Sequence, residues 1–230
     1  MNSLESEVRG LQSRAEGWDA LKLLAWSFGR FQPRVALASS FGAEAGLLID
    51  LAARIEPDLR VFTLDTGFLF DETYALIEEI EQRYGVRVER IQPELTPQQQ
   101  VERHGEALWS RDPDFCCKLR KVDPLRLKLA GLEAWITGLR REQSPGRATA
   151  GKLEWDAKFG LAKLNPLADW TWTQVWEYIR ANEVPYNPLR DRNYLSIGCV
   201  QCTRPVIPGE DLRAGRWAGF SMTECGLHSR

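Results

Sequence analysis

Short apolar runs that close on a small-residue turn and then give way to a helical pattern recur along this chain, and they leave few architectures open. The first, Arg34-Val-Ala-Leu-Ala38, reads as a buried strand. Ser39-Ser-Phe-Gly-Ala-Glu44 follows, and Ala45, Leu47, Leu48, Leu51 and Ala52 carry a helix toward Pro57. The format repeats in Arg60-Val-Phe-Thr-Leu64, the turn Asp65-Thr-Gly67 and a helix over 71–84. Residues 86–91 alternate like a third strand, a helix follows Pro97, and 132–137 form a further strand ending at Gly138. This order predicts an α/β fold: a mainly parallel twisted sheet, helices on both faces, and ligands at the C-terminal ends of the strands. The loops at 39–44, 65–67 and 138–147 should therefore line one crevice. Leu4, Val8, Leu11, Leu21, Leu24 and Trp26 have helical spacing and predict N-terminal helices packed on the main body. Thr171-Trp-Thr-Gln174 is a capping box that opens a helix to Asn182.

A strand, a small-residue loop and a helix aim backbone N–H groups and the positive end of the helix dipole at an anion. Ser39 to Glu44 can serve in that way, although no Gly-Lys-Ser/Thr follows and the loop is not a Walker A motif. The formal net charge is −2, so the chain has no general field for nucleic acid, and an anionic ligand must meet a local cluster of Arg and Lys. A hydrophobic content of 43% and a charged content of 27% describe an ordinary globular protein. No apolar run approaches a membrane span, and the N-terminus lacks the apolar core of a signal peptide. With unpaired cysteines, this points to a reducing cytoplasm.

Four of the five cysteines fall in two pairs, Cys116-Cys117 and Cys199-Val-Gln-Cys202; the fifth, Cys225, stands alone near the end. A C-x-x-C pair can aim both thiolates at one centre, whereas two adjacent side chains diverge and suit a larger object such as an iron–sulfur cubane. Zinc accepts four thiolates, and buried or reactive thiols are a third reading. Spacing alone leaves these open.

The motifs together resemble the iron–sulfur class of the assimilatory sulfonucleotide reductases, the adenylylsulfate (APS) reductases, from about residue 33 to His228. The resemblance rests on the loop at 39–44, Leu64-Asp-Thr-Gly67, Cys116-Cys117 with Arg120-Lys121, and Thr137-Gly-Leu-Arg-Arg-Glu-Gln-Ser144. Cys199-x-x-Cys202-Thr-Arg-Pro205 and Glu224-Cys-Gly-Leu-His228 complete it. It implies reduction of APS to sulfite and AMP, with thioredoxin or glutaredoxin as electron source. Cys225 would attack the sulfur of bound APS as a thiolate, leaving an S-sulfocysteine that the dithiol protein resolves. Cys116, Cys117, Cys199 and Cys202 match the family's ligand set for a [4Fe-4S] cluster. Lys121, Arg213, Arg216 and His228 match the positions that neutralise the phosphosulfate, and such cations would lower the Cys225 pKa from its free value of about 8.5. Ser39, Ser40, Phe41, Gly42, Ala43 and Glu44 resemble the phosphate-binding loop of the N-type ATP pyrophosphatases, Ser-Gly-Gly-x-Asp-Ser. Phe41 replaces the first Gly, Glu44 the Asp and Ala45 the last Ser. Leu64, Thr66 and Gly67 would lie near the adenosine, with Arg140 and Arg141 in the crevice. The implied fold is adenine nucleotide alpha hydrolase-like with a mobile C-terminal tail. One domain then divides into a helical segment (1–30), the nucleotide- and cluster-binding body (31–205) and a catalytic tail (206–230). A homo-oligomer is compatible with all of this.

Two bland readings stand beside these: Arg140 and Arg141 as solvated loop charges, and His104 as a surface helix residue. The rival functions are reduction of the 3′-phosphorylated substrate PAPS, or of both substrates, an ATP-dependent tRNA sulfurtransferase, and a zinc-binding module without catalysis. The degraded pyrophosphatase loop and the absence of a basic surplus argue against the sulfurtransferase. Residues 64–70 offer no Arg or Lys to a 3′-phosphate, so a preference for APS of at least about tenfold is expected.

Overall fold

Alternating side chains on short strands divide the interior into two cores. In the computed structural model, which describes residues 3–220, 222, 226 and 227, one sheet comprises β1 (Val35–Ala38), β2 (Val61–Leu64), β3 (Val88–Ile91), β4 (Ala134–Thr137), β5 (Leu153–Asp156) and β6 (Leu161–Leu164). Their order is β3-β2-β1-β4-β6-β5. Neighbours run parallel, with Leu37 opposite Val61 and Val35 opposite Ala134, except that β5 pairs antiparallel with β6. Val35 and Leu37 of β1, Ala134 and Ile136 of β4, and Ala162 and Leu164 of β6 face one core, while Ala36, Trp135 and Leu161 between them face the other. That alternation is the period of two that a pleated strand imposes.

Helices cover both faces. α1 (Ser3–Ala15), α2 (Ala20–Phe31), α3 (Ala43–Ala53), α4 (Asp71–Tyr84) and, late in the chain, α9 (Trp172–Ala181) contribute to the larger core through Val8, Leu24, Leu48, Ile77 and Val175. Between them in sequence come α5 (Pro97–His104), α6 (Leu108–Arg111), α7 (Pro113–Cys117) and α8 (Asp123–Leu129); α8 covers the opposite face with Leu125 and Leu129. The starts follow from local chemistry. Asp19 caps α2 by accepting from the Lys22 N–H at 2.7 Å, and reciprocal capping boxes open α5 (Thr96, Gln99) and α9 (Thr171, Gln174). α3 is buried on nearly every side, which explains its almost unbroken apolar sequence.

The architecture agrees with the sequence reading, with two differences. Residues 153–164 form the hairpin β5–β6, which the sequence reading left unassigned and which supplies the antiparallel edge. The helix expected from Ala45 begins at Ala43 and ends at Ala53, before Pro57. The chain runs outward from β1 through β2 to β3, then returns to place β4 on the other side of β1. Loops leaving β1 and β4 diverge at that reversal, and open α/β sheets bind ligands there. Among the described residues no helix is long and apolar enough to cross a membrane.

Candidate active site

A crevice opens at this point, and its wall has three chemically distinct parts. The first is polar and begins with the loop after β1. Phe41 adopts φ +54°, a left-handed conformation rare for a bulky residue, and its side chain is fully buried in the larger core. This corner turns the chain so that Gly42 caps α3, while Ser39, Ser40, Gly42 and Glu44 face the crevice. The side chains of Phe41 and Ala43, both placed in the binding loop by sequence, belong to the larger core. The Glu44 carboxylate meets Arg140 Nε at 3.0 Å and lies 4.0 Å from Arg190 Nη2. Burial alone would push its pKa up, but Arg190 and Arg140 together hold it below the ordinary carboxylate value. Arg140 also donates to Glu142 at 2.8 Å and to the Trp170 carbonyl at 3.1 Å.

The sequence reading put Arg140 and Arg141 together in the crevice, and they part company. Arg140 is extended (φ −124°, ψ 145°), which sends its neighbour the other way. Arg141 donates to the Ala150 carbonyl at 2.7 Å and pairs with Glu16 at 2.6 Å, outside the crevice lining. Arg190 is the residue that sequence reasoning missed. It lies in the short turn Pro188–Arg192, and no periodicity or motif marks it.

The second part is apolar: Phe62, Leu64, Leu125, Trp135 and Leu227 form a wall suited to a planar ring. Thr66 lines the crevice nearby, its hydroxyl 3.3 Å from the Cys199 sulfur. Gly67 does not; its φ of +69° and the Pro97 ring, 3.0 Å from where a Cβ would stand, fix it as a turn. Leu227 and Phe159 both pack on the smaller core, and the Gly226 carbonyl accepts from Lys158 Nζ in the β5–β6 turn.

The third part is cationic and adjoins the cysteines. The helix carrying Cys116 and Cys117 passes through one π-helical turn, Lys118–Val122, closed by the Asp123 N–H on the Lys118 carbonyl. That turn buries Cys116, Cys117, Arg120 and Lys121 together, and such bulges concentrate at functional sites. Arg120 donates to Gln100 at 2.7 Å and to the Thr66 carbonyl at 2.8 Å, fastening this helix to the loop after β2. Lys121 Nζ lies 4.0 Å from Cys117 Sγ and reaches the crevice wall. Arg213 and Arg216 line the same end; Arg216 stacks 4.3 Å from the Trp217 ring and donates to the Ile197 carbonyl at 3.3 Å. Gly198 leaves no room for a Cβ beside that guanidinium. The Trp217 N–H donates to the Cys202 carbonyl at 3.0 Å, tying this segment to the second cysteine pair. Cys225 and His228 lie outside the described residues.

Cys116, Cys117, Cys199 and Cys202 are all free thiols and line one small pocket. Burial, and then the neighbouring thiols, push Cys116 and Cys202 up to about 11. Among the described residues no three His, Cys, Asp or Glu side chains converge on a point for a single ion. Arg120 lines the same pocket, and its Nη2 is a buried donor with no hydrogen-bond partner. Four thiols around one pocket are a donor set for a metal ion or a cluster.

The phosphoadenosine phosphosulfate reductase domain model matches residues 34–205. An adenosine 5′-phosphosulfate reductase of Halalkalibacterium halodurans is 46% identical over 227 residues, covering 98% of both chains. One from Bacillus subtilis is 48% identical over 210 residues, covering 91% of this chain and 90% of its own. Among solved structures, the phosphoadenylyl-sulfate reductase of Candida auris in a phosphate complex aligns with a TM-score of 0.75 at 26% identity, over 89% of this chain and 99% of its own. An FMN adenylyltransferase from Candida glabrata aligns at 0.57 with 16% identity, over 88% of this chain and 73% of its own, and shares the fold alone. The sheet order, the crevice at its reversal and these matches agree: the chain belongs to the phosphoadenosine phosphosulfate reductase family.

Proposed function

We propose that this chain reduces APS to sulfite and AMP by way of a covalent intermediate on Cys225, with thioredoxin or glutaredoxin as the source of electrons. Reduction of APS, as an oxidoreductase of sulfate assimilation, is the activity of this chain: relatives named for it match nearly the whole length at 44–48% identity. The covalent route is supported by one juxtaposition. Lys121, Arg213 and Arg216 line the end of the crevice beside the cysteines, and Leu227, two residues beyond Cys225, lines the same crevice. The phosphosulfate would lie against the three cations, which offset the charge that an approaching thiolate adds. The Cys225 thiolate forms a bond to the sulfate sulfur, the bond from that sulfur to the bridging oxygen breaks, and AMP leaves with the electron pair. A dithiol protein then attacks Cys225 Sγ and expels sulfite. Its second thiol opens the mixed disulfide, so the dithiol is oxidised and Cys225 returns as a thiol.

Cys116, Cys117, Cys199 and Cys202 would hold a [4Fe-4S] cluster, which when bound supplies a fixed structural and electrostatic centre beside these cations. A cluster and exposed redox chemistry suit the cytoplasm. The test is mass spectrometry of protein mixed with APS and no reductant. Wild type should gain one SO₃ on Cys225; Cys225→Ser should keep its iron absorbance and gain nothing. An adduct on another cysteine would sink the assignment. For the cluster, Cys202→Ser should lose iron and activity together, and zinc without labile sulfide in anaerobically prepared protein would refute the cluster.

A further inference from the structure

The turn of the β5–β6 hairpin is held more firmly than a surface connection requires, and it carries a lysine that does not line the crevice. Asp156 Oδ1 accepts from the Lys158 and Phe159 N–H groups at 3.2 and 3.3 Å, and the Asp156 carbonyl accepts from the Gly160 N–H at 2.7 Å. Gly160, at φ +74°, closes the turn. The Phe159 ring meets Trp135 of the crevice wall edge to face, with 6.1 Å between centroids, and the Arg126 guanidinium lies 5.6 Å from it. Lys158 Nζ stands 5.5 Å over the same ring, which leaves the long side chain few directions to turn. From there it donates to the Gly226 carbonyl.

Gly226 is one peptide bond from Cys225. It is left-handed at φ +76°, and a Cβ there would stand 3.5 Å from Val122 Cγ2 and 4.0 Å from Lys158 Nζ. Gly226 therefore sits between the hairpin turn and the end of the π-helical turn, next in sequence to Lys121 of the crevice wall. A carbonyl bonded by an ammonium is held more strongly than one bonded by a neutral donor. Any shift of that carbonyl passes directly to the neighbouring residue, and a reacting group misplaced by about 1 Å can lose on the order of a hundredfold in rate. This step rests on the proposed function, in which Cys225 is the nucleophile. We propose that Lys158 is a positioning residue for that reaction: by holding the Gly226 carbonyl it fixes the backbone beside Cys225, and with it the line along which the thiolate meets the sulfate sulfur. It acts through the backbone alone; no proton moves to or from it, and the bonds made and broken in the attack are unchanged.

The experiment follows the mass of Cys225 in the cluster-loaded full chain, at saturating APS without reductant, for wild type, Lys158→Ala and Lys158→Arg. Lys158→Ala should slow the gain of SO₃ by about tenfold or more, the scale of one charge-assisted hydrogen bond, with iron absorbance and thermal midpoint unchanged. AMP affinity, measured by calorimetry, should fall by no more than about fivefold, so that the loss lies in the rate and not in binding. Lys158→Arg keeps a cationic donor and should recover most of the rate. A wild-type rate in Lys158→Ala, or a loss confined to AMP affinity, would overturn the proposal. A second measurement needs no reaction at Cys225. Carboxypeptidase should trim past Gly226 about tenfold faster in Lys158→Ala than in wild type, by the same hydrogen-bond scale, and equal trimming would also overturn it. Absence of an adduct on wild-type Cys225 would strike the covalent route instead and leave the trimming test standing.

Discussion

A carboxylate beside a site for anions needs a reason, and Glu44 has one in the two arginines that it holds apart. Glu44→Gln removes the negative charge between Arg140 and Arg190 and leaves Arg140 with Glu142. The expected loss is about 3 kcal/mol of stability at pH 7, measured by urea unfolding. The sign of its pH dependence follows from the depressed pKa. The stabilisation is complete above the ordinary value of 4.5 and is lost as pH falls through the lower folded value. Wild type and variant should therefore converge in acid and differ most at neutral pH; a gap that widened in acid would contradict the pairing. At this scale the sequence was legible where a motif spans the residues, as for Ser39, Glu44 and Lys121. It was not legible for Arg190, whose partner Glu44 lies far off in sequence. Nor could it say which of Arg140 and Arg141 turns inward, because the answer is set by one extended backbone step.

Among the elements, the π-helical turn at Lys118–Val122 does the most to build the site. The sequence showed two adjacent cysteines beside a basic run, but not how both could be buried with Lys121, since a single wider turn leaves no mark in composition. Deleting Leu119 should close that turn to α-helical register and rotate Cys116 and Cys117 relative to Arg120 and Lys121. Far-UV circular dichroism should stay near wild type while iron content falls by more than half; full iron loading would show that the π turn is incidental. The capping boxes of α5 and α9 are simpler. Thr171→Ala should cost about 1 kcal/mol in thermal unfolding, the usual worth of such a cap. The β5–β6 hairpin escaped the sequence reading because its strands have four residues each and its edge strand is only half buried, so alternation there is faint.

At the scale of the molecule, the order of the sheet puts the site at the reversal between β1 and β4, and this much was legible because alternation of strands and helices dictates it. Two cores meet at that sheet, and the smaller one includes Leu227, at the far end of the chain. Its place in the apolar wall makes the seating of Leu227 and the occupancy of the crevice one coupled equilibrium. Whatever free energy a nucleotide gains from Leu227, the seating of Leu227 gains in equal measure from the nucleotide, because linkage between two binding events is reciprocal. Leu227→Ala should weaken AMP binding by about fivefold, the lower end of such couplings. AMP should in turn slow carboxypeptidase trimming of wild type more than of the variant. Leu227 and the nucleotide would then hold each other in the crevice, each seated less firmly without the other.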